Sequence, residues 1–213
     1  MRTLKALVCT AALAAGLATA VAQNVYSLNV VGYYNVACPA DTYVMVANQL
    51  NTTNNTLNGL FPNPVPSMQV LKWNGGWDTY TFDDIDLMWL PNGDATLNVG
   101  EAAVVKSPAD TTLTFVGEVL QGALSNPLPA AEVYGARASM VPQAGLVATD
   151  LGFPSEASDQ ILKWNGGWDT YTYDDIDLMW LPSEPTLAVG EGVVLKKGPG
   201  STAAAWTRNF TVE

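Results

Sequence analysis

The stretch QVLKWNGGWDTYTFDDIDLMWLP, residues 69–91, decides the fold class, because it reads as a β-hairpin and occurs twice. Gln69–Trp73 and Trp77–Phe82 are rich in aromatic, β-branched and threonine side chains, which suit a pleated, half-buried surface. Asn74-Gly75-Gly76 between them offers residues that accept positive φ, so a three-residue hairpin connection is expected. Across that turn Trp73 and Trp77 would face each other as a cross-strand pair. Residues 160–182 repeat the stretch at 21 of 23 positions with a constant offset of 91; Val70/Ile161 and Phe82/Tyr173 are the differences.

The likeness continues more faintly outward. Tyr43 answers to Tyr134, Phe61-Pro62 to Phe153-Pro154, and Leu97-x-Val99-Gly100-Glu101 to Leu187-x-Val189-Gly190-Glu191. Val104-Val105 and Val193–Leu195 read as buried strands, while Thr112–Val116 and Trp206–Val212 alternate with period two. No segment after residue 22 carries a helical period, and Gly and Pro are spaced like turn punctuation. The expectation is an all-β chain built as a tandem duplication of a sandwich- or barrel-like unit of about 90 residues, with units over 37–127 and 128–213. A period of that length exceeds the roughly 20–50 residues of a solenoid repeat.

Residues 1–22 have the form of a cleaved signal peptide. Arg2 and Lys5 precede an apolar run from Ala6 to Ala18, and Ala20-Val21-Ala22 fits the small-residue cleavage pattern. The run is shorter than the about 20 apolar residues of a membrane span, and none follows it. Cleavage would take the formal charge from −11 to −13, since both leader charges are basic. Seven scattered Lys and Arg against twenty carboxylates exclude a nucleic-acid interface and favour solubility or cation binding. Cys38 would be the one cysteine left, either a buried thiol or an intermolecular bond.

The chain has no histidine, which removes Ser-His-Asp and Cys-His catalysis and His-based zinc sites. Asp78-Thr79 and Asp169-Thr170 lead into tyrosine, where the loop of an aspartic protease needs glycine. Glu101 and Glu191 each follow a glycine in a turn, as solvated loop ends do. A non-enzymatic protein is expected. Three sets of residues remain as candidates. Trp73, Trp77, Asp78 and Tyr80, with Trp164, Trp168, Asp169 and Tyr171, would form two equivalent glycan subsites, rings stacking on sugar faces while carboxylates take hydroxyls. Asp83, Asp84 and Asp86, with Asp174, Asp175 and Asp177, cluster oxygens as Ca²⁺ requires, though without the spacing of an EF-hand. In QNVYSLNVVGYYNV, residues 23–36, Tyr26, Leu28, Val30, Tyr34 and Val36 share one face of a long strand outside the repeat. That strand either completes its own sheet or is donated to a neighbouring copy.

VYSLNVVGYYNV (25–36), VLKWNGGWDTYTFDD (70–84), LNVGEAAVVK (97–106) and TLTFVGEVLQG (112–122) resemble uncharacterised secreted β-rich repeat proteins of environmental Gram-negative bacteria. Relatives usually carry Pro-Gly-Glu-Gly-Phe-Phe-Val at the fourth strand; here Val99–Val105 reads VGEAAVV and Val189–Leu195 reads VGEGVVL. The resemblance implies export and an extracellular or cell-surface role, and supplies no catalytic residues. The expected function is therefore that of an extracellular structural subunit, self-assembling as a fibre or surface layer, with glycan binding as the alternative.

Overall fold

The computed structural model describes residues 30–212. The signal peptide expected over 1–22 and the strand residues Tyr26 and Leu28 lie outside the described residues. From the N-terminal side run β1 (Val31–Cys38), β2 (Tyr43–Ala47), the single-turn helix α1 (Leu57–Leu60), β3 (Gln69–Trp73), β4 (Trp77–Phe82), β5 (Trp89–Leu90), β6 (Ala102–Lys106) and β7 (Thr111–Glu118). Then follow β8 (Gly122–Pro127), β9 (Tyr134–Arg137), β10 (Gly145–Leu146), β11 (Gln160–Trp164), β12 (Trp168–Tyr173), β13 (Trp180–Leu181), β14 (Thr186–Leu187), β15 (Val193–Lys196) and β16 (Ala205–Phe210). The protein is nearly all β, and its strand pairs are antiparallel.

Two five-stranded sheets carry the fold. Their orders, β2-β6-β3-β4-β5 and β9-β15-β11-β12-β13, match strand for strand. The expected hairpins lie at the centre of each, with Trp73 opposite Trp77 and Trp164 opposite Trp168. Strand β6 shows why its sequence lacks alternation. Ala103 and Val105 enter a core with Val46, Val70, Trp89 and Phe115, while Ala102 and Val104 enter a central cluster with Met45, Ala136 and Val194. A strand covered on both faces needs apolar residues at successive positions. The second sheet does the same, with Ile161, Val193 and Leu195 packed on Phe153, Trp180 and Trp206.

The two sheets are tied together crosswise. Trp73 Nε1 donates to Tyr134 O at 2.9 Å, and Trp164 Nε1 donates to Tyr43 O at 2.8 Å. Ala47 N donates to Gly190 O, and Ala138 N to Gly100 O, both at 2.9 Å. Gln49, fully buried, donates from Nε2 to Ser139 O and Val141 O and accepts from Gly190 N at 2.7 Å. Buried polar groups are tolerated when every atom is paired in this way. The sheets approach closely where Gly192 faces Ala102: a Cβ on Gly192 would sit 2.4 Å from Ala102 Cβ and 2.8 Å from Val46 O. Gly192→Val is expected to lower stability by about 1–3 kcal/mol through overpacking, read as a fall in the urea midpoint at unchanged slope.

The segment beginning at Val31 is paired inside its own chain. Strand β1 lies along β7, with Tyr34 opposite Phe115 and the two rings stacked at 5.0 Å. Tyr34 is buried, its hydroxyl donating to Ala47 O at 2.5 Å, and Val30 and Val36 pack on the same core. Desolvation raises the Tyr34 hydroxyl's pKa well above the ordinary tyrosine value, outweighing the hydrogen bond from Gln49 N. Of the residues expected to mediate assembly, these three pack on the core of their own chain, the first of the two arrangements expected for that strand. Strand β8, which the sequence groups with the first unit, pairs along its length with β16 at the far end of the chain. Cys38 is free and buried in the first core.

Beside the second core sits a buried charge cluster. Lys197 is 1 % exposed and Asp159 0 %. The Lys197 ammonium donates to Asp159 Oδ2 and to Pro154 O at 3.1 Å, lies 3.1 Å from Glu156 Oε2, and stands 5.2 Å over the Phe153 ring. Burial opposes ionisation of Glu156, but hydrogen bonds from Ala203 N, Thr202 N, the Thr202 hydroxyl and Lys197 prevail, and its pKa falls from 4.5 to about 2. A depressed folded-state pKa stabilises above the unfolded value and loses that contribution as pH falls. The contribution of Glu156 is thus present above pH 4.5 and disappears between there and about 2. Glu156→Gln is expected to flatten the acid limb of the stability profile in that window, measured by urea unfolding at stepped pH.

Candidate functional site

The repeated stretch separates into three surfaces. Strand alternation puts Trp73 and Trp77 on the face toward the other sheet, their rings at 5.0 Å and 80°. Lys72 and Asp78, paired across the hairpin, point the other way, and Tyr80 packs with Val70 on the first core. The second copy divides likewise: Trp164 and Trp168 at 5.1 Å on one face, Asp169 on the other, and Tyr171 on the second core. In each glycan subsite the two tryptophans therefore lie on one face of the hairpin, while the carboxylate shares the opposite face with Tyr80 or Tyr171. The period of two that makes the strand also divides the site.

The acidic residues have structural work close at hand. Asp83 Oδ1 accepts from Asp86 N at 2.7 Å and Ile85 N at 2.9 Å, and these two amides hold its carboxyl below the usual range. Asp174 accepts from Asp177 N and Ile176 N, both at 2.8 Å, with the same consequence. Both are Asx turns, which fold a loop without a ligand. Among the described residues no three acidic, His or Cys side chains converge as a metal site. Glu101 caps its own turn by accepting from Asn98 N at 2.7 Å and lies 3.8 Å from Lys72; Glu191 accepts from Ala188 N at 2.8 Å and lies 3.1 Å from Lys163.

What these turns present is apolar. Residues 83–90 form a loop closed by Asp83 N donating to Met88 O, and 174–181 one closed by Asp174 N donating to Met179 O, each at 2.8 Å. Trp89 and Trp180 turn inward and are buried. Ile85 and Ile176 are each 85 % exposed, Leu87 and Leu178 67 % and 66 %, and Met88, Leu90, Met179 and Leu181 are exposed with them. Leu87 and Leu178 both take φ +52°, a left-handed conformation unfavourable for a branched side chain. Single exposed hydrophobics are ordinary on a protein surface, whereas each of these loops holds four. The sequence reading missed them because isoleucine, leucine and methionine in a β-rich stretch look like core.

A second apolar feature lies on the seam between the sheets. Tyr43, Leu71, Trp77, Val104, Trp164 and Trp168 line an open cavity of about 140 Å³ with no polar wall. Trp168 is 42 % exposed at its edge. Lys106 Nζ stands 5.5 Å over the Tyr43 ring, and Lys196 Nζ stands 5.6 Å over that of Tyr134. Each sheet thus carries an acidic, apolar loop at its β4–β5 or β12–β13 end, and an aromatic edge topped by lysine at β2 or β9.

Comparison of the chain with protein-family models, with curated proteins and with solved structures finds no match.

Proposed function

We propose that this chain is an exported, non-enzymatic structural subunit, built from a duplicated β unit, that works outside the cell by self-association. The observation that carries this reading is the pair of loops 83–90 and 174–181, each holding four large apolar side chains in water. Keeping such residues exposed twice at closely matching accessibilities costs solubility, a cost that an interface offsets. The matching strand orders of the two sheets support descent from one duplicated unit. Export rests on the leader expected at 1–22 and on the resemblance to secreted repeat proteins. Ca²⁺ has no further support from the described residues.

The test is light scattering on 23–213 beside 30–213 at about 100 µM, where contacts of micromolar strength are populated. Both forms are expected to associate, because the loops belong to the folded body. Monomers from both would end the reading. A cut at residue 37 would be uninformative, since it removes Tyr34 from the first core.

Glycan binding stands as the second reading, on the exposure of Trp168 beside Trp77 and Trp164 along the seam. It requires sugar stacking with hydroxyls turned to solvent, since the cleft wall offers them no partner. A glycan array in which Trp168→Ala loses every signal while staying folded would favour it over association.

A further inference from the structure

We propose that the loops 83–90 and 174–181 are knobs that seat in the aromatic cleft of a second copy of this chain, joining molecules head to tail. The proposal rests on the self-association reading and names its contact. The knob is convex, with Ile85 or Ile176 at its tip and carboxylates around it: Asp83, Asp84 and Asp86, or Asp174, Asp175 and Asp177. The cleft is concave, its volume of about 140 Å³ accepts an aliphatic side chain, and its wall of Tyr43, Leu71, Trp77, Val104, Trp164 and Trp168 carries nothing polar. Shape and polarity therefore match.

Charge selects the pairing. A knob meeting a knob would bring six aspartates together, and like charges placed face to face repel. A knob entering the cleft instead brings its carboxylates to Lys106, whose present partner is Asp41, a largely exposed side chain 3.7 Å away. Exposed pairs of that kind contribute little and are readily exchanged. Lys196 stands in the same relation to Tyr134 at the other edge. Because knob and cleft are different surfaces at opposite ends of each sheet, the contact is heterologous, and repetition gives open chains of molecules instead of a closed dimer. Two knobs per molecule give each copy more than one neighbour.

The experiment measures sedimentation of 23–213 over a concentration series at low and high salt. Ile85→Asp with Ile176→Asp is expected to raise the concentration of half-assembly at least tenfold, with the circular dichroism unchanged because both side chains lie in water. Lys106→Glu with Lys196→Glu is expected to weaken assembly similarly. Adding Asp84→Lys and Asp175→Lys to that background is expected to restore it. Wild-type assembly that the isoleucine variants leave untouched would overturn the knob while the association reading survives. Failure of the reversed charges to restore assembly would overturn the cleft as its seat. A wild type that stays monomeric would overturn both proposals.

Discussion

Asp159→Ala is expected to destabilise the protein by about 3–5 kcal/mol, a large share of the stability of an ordinary domain. The carboxylate accepts from four groups besides serving as counter-ion: Glu156 N at 2.9 Å, Gly198 N at 2.8 Å, the Ser201 hydroxyl at 2.6 Å, and the Lys197 ammonium. Its removal leaves a lysine in a position 1 % exposed to water with Glu156, Pro154 O and the Phe153 ring as its remaining neighbours among the described residues. Lys197→Met is expected to cost less, because Asp159 keeps three donors. The first half of the chain holds a control for this comparison. Met68 N–H and C=O stand where those of Asp159 stand, with Phe82 N donating to Met68 O as Tyr173 N donates to Asp159 O. Ser107 takes the place of Lys197, its carbonyl accepting from Asp41 N as that of Lys197 accepts from Glu132 N. Asp159→Met with Lys197→Ser should therefore recover much of the loss, since a buried pair replaced as a unit is often close to neutral. Equilibrium urea unfolding of the three variants checks the order.

Trp89→Ala is expected to cost about 3–5 kcal/mol as well, while Trp168→Ala costs about 1 kcal/mol or less. The two hold different positions of the repeated stretch, Trp89 answering to Trp180 and Trp168 to Trp77. Trp89 is buried against Phe61 at 5.9 Å and Phe82 at 5.5 Å, and its loss opens a void in the first core. Trp180→Ala should match it, with Phe153 and Tyr173 as the bereft neighbours. Trp168 keeps 42 % of its surface in water and touches Trp164 edge-on. Thermal denaturation followed by near-ultraviolet circular dichroism would separate the pairs.

Local chemistry made much of this fold readable. Gln69–Trp73 and Trp77–Phe82 are strands at the bounds expected from composition, because the Asn-Gly-Gly connection leaves little freedom in register. Val104-Val105, Val193–Leu195 and Thr112–Val116 also fall in strands. What could not be read are features fixed by distant partners. The pairing of β8 with β16 joins residues some eighty positions apart, and nothing in Gly122–Pro127 announces it. Gln49 looks like a surface amide until Gly190, Ser139 and Val141 close around it. Lys197 looks like a solvated charge beside Lys196. The apolar loops were not readable, since IDLMWLP gives no sign that its tryptophan turns inward while its Ile, Leu and Met stay in water.

The crosswise bonds between the sheets carry a consequence for the order of events as the chain emerges during synthesis or export. Trp73 waits for the carbonyl of Tyr134, and Gln49 for the amide of Gly190. Strand β8 waits for β16, whose Trp206 fills the second core. The leading half therefore keeps its Trp73 ring nitrogen unpaired until Tyr134 has emerged and its Gln49 side-chain carbonyl unpaired until Gly190 has. Such late-closing contacts slow folding and lengthen exposure to neighbours. A chain halted between β8 and β16 would leave the edge of β8 and the place of Trp206 in the second core open to neighbours.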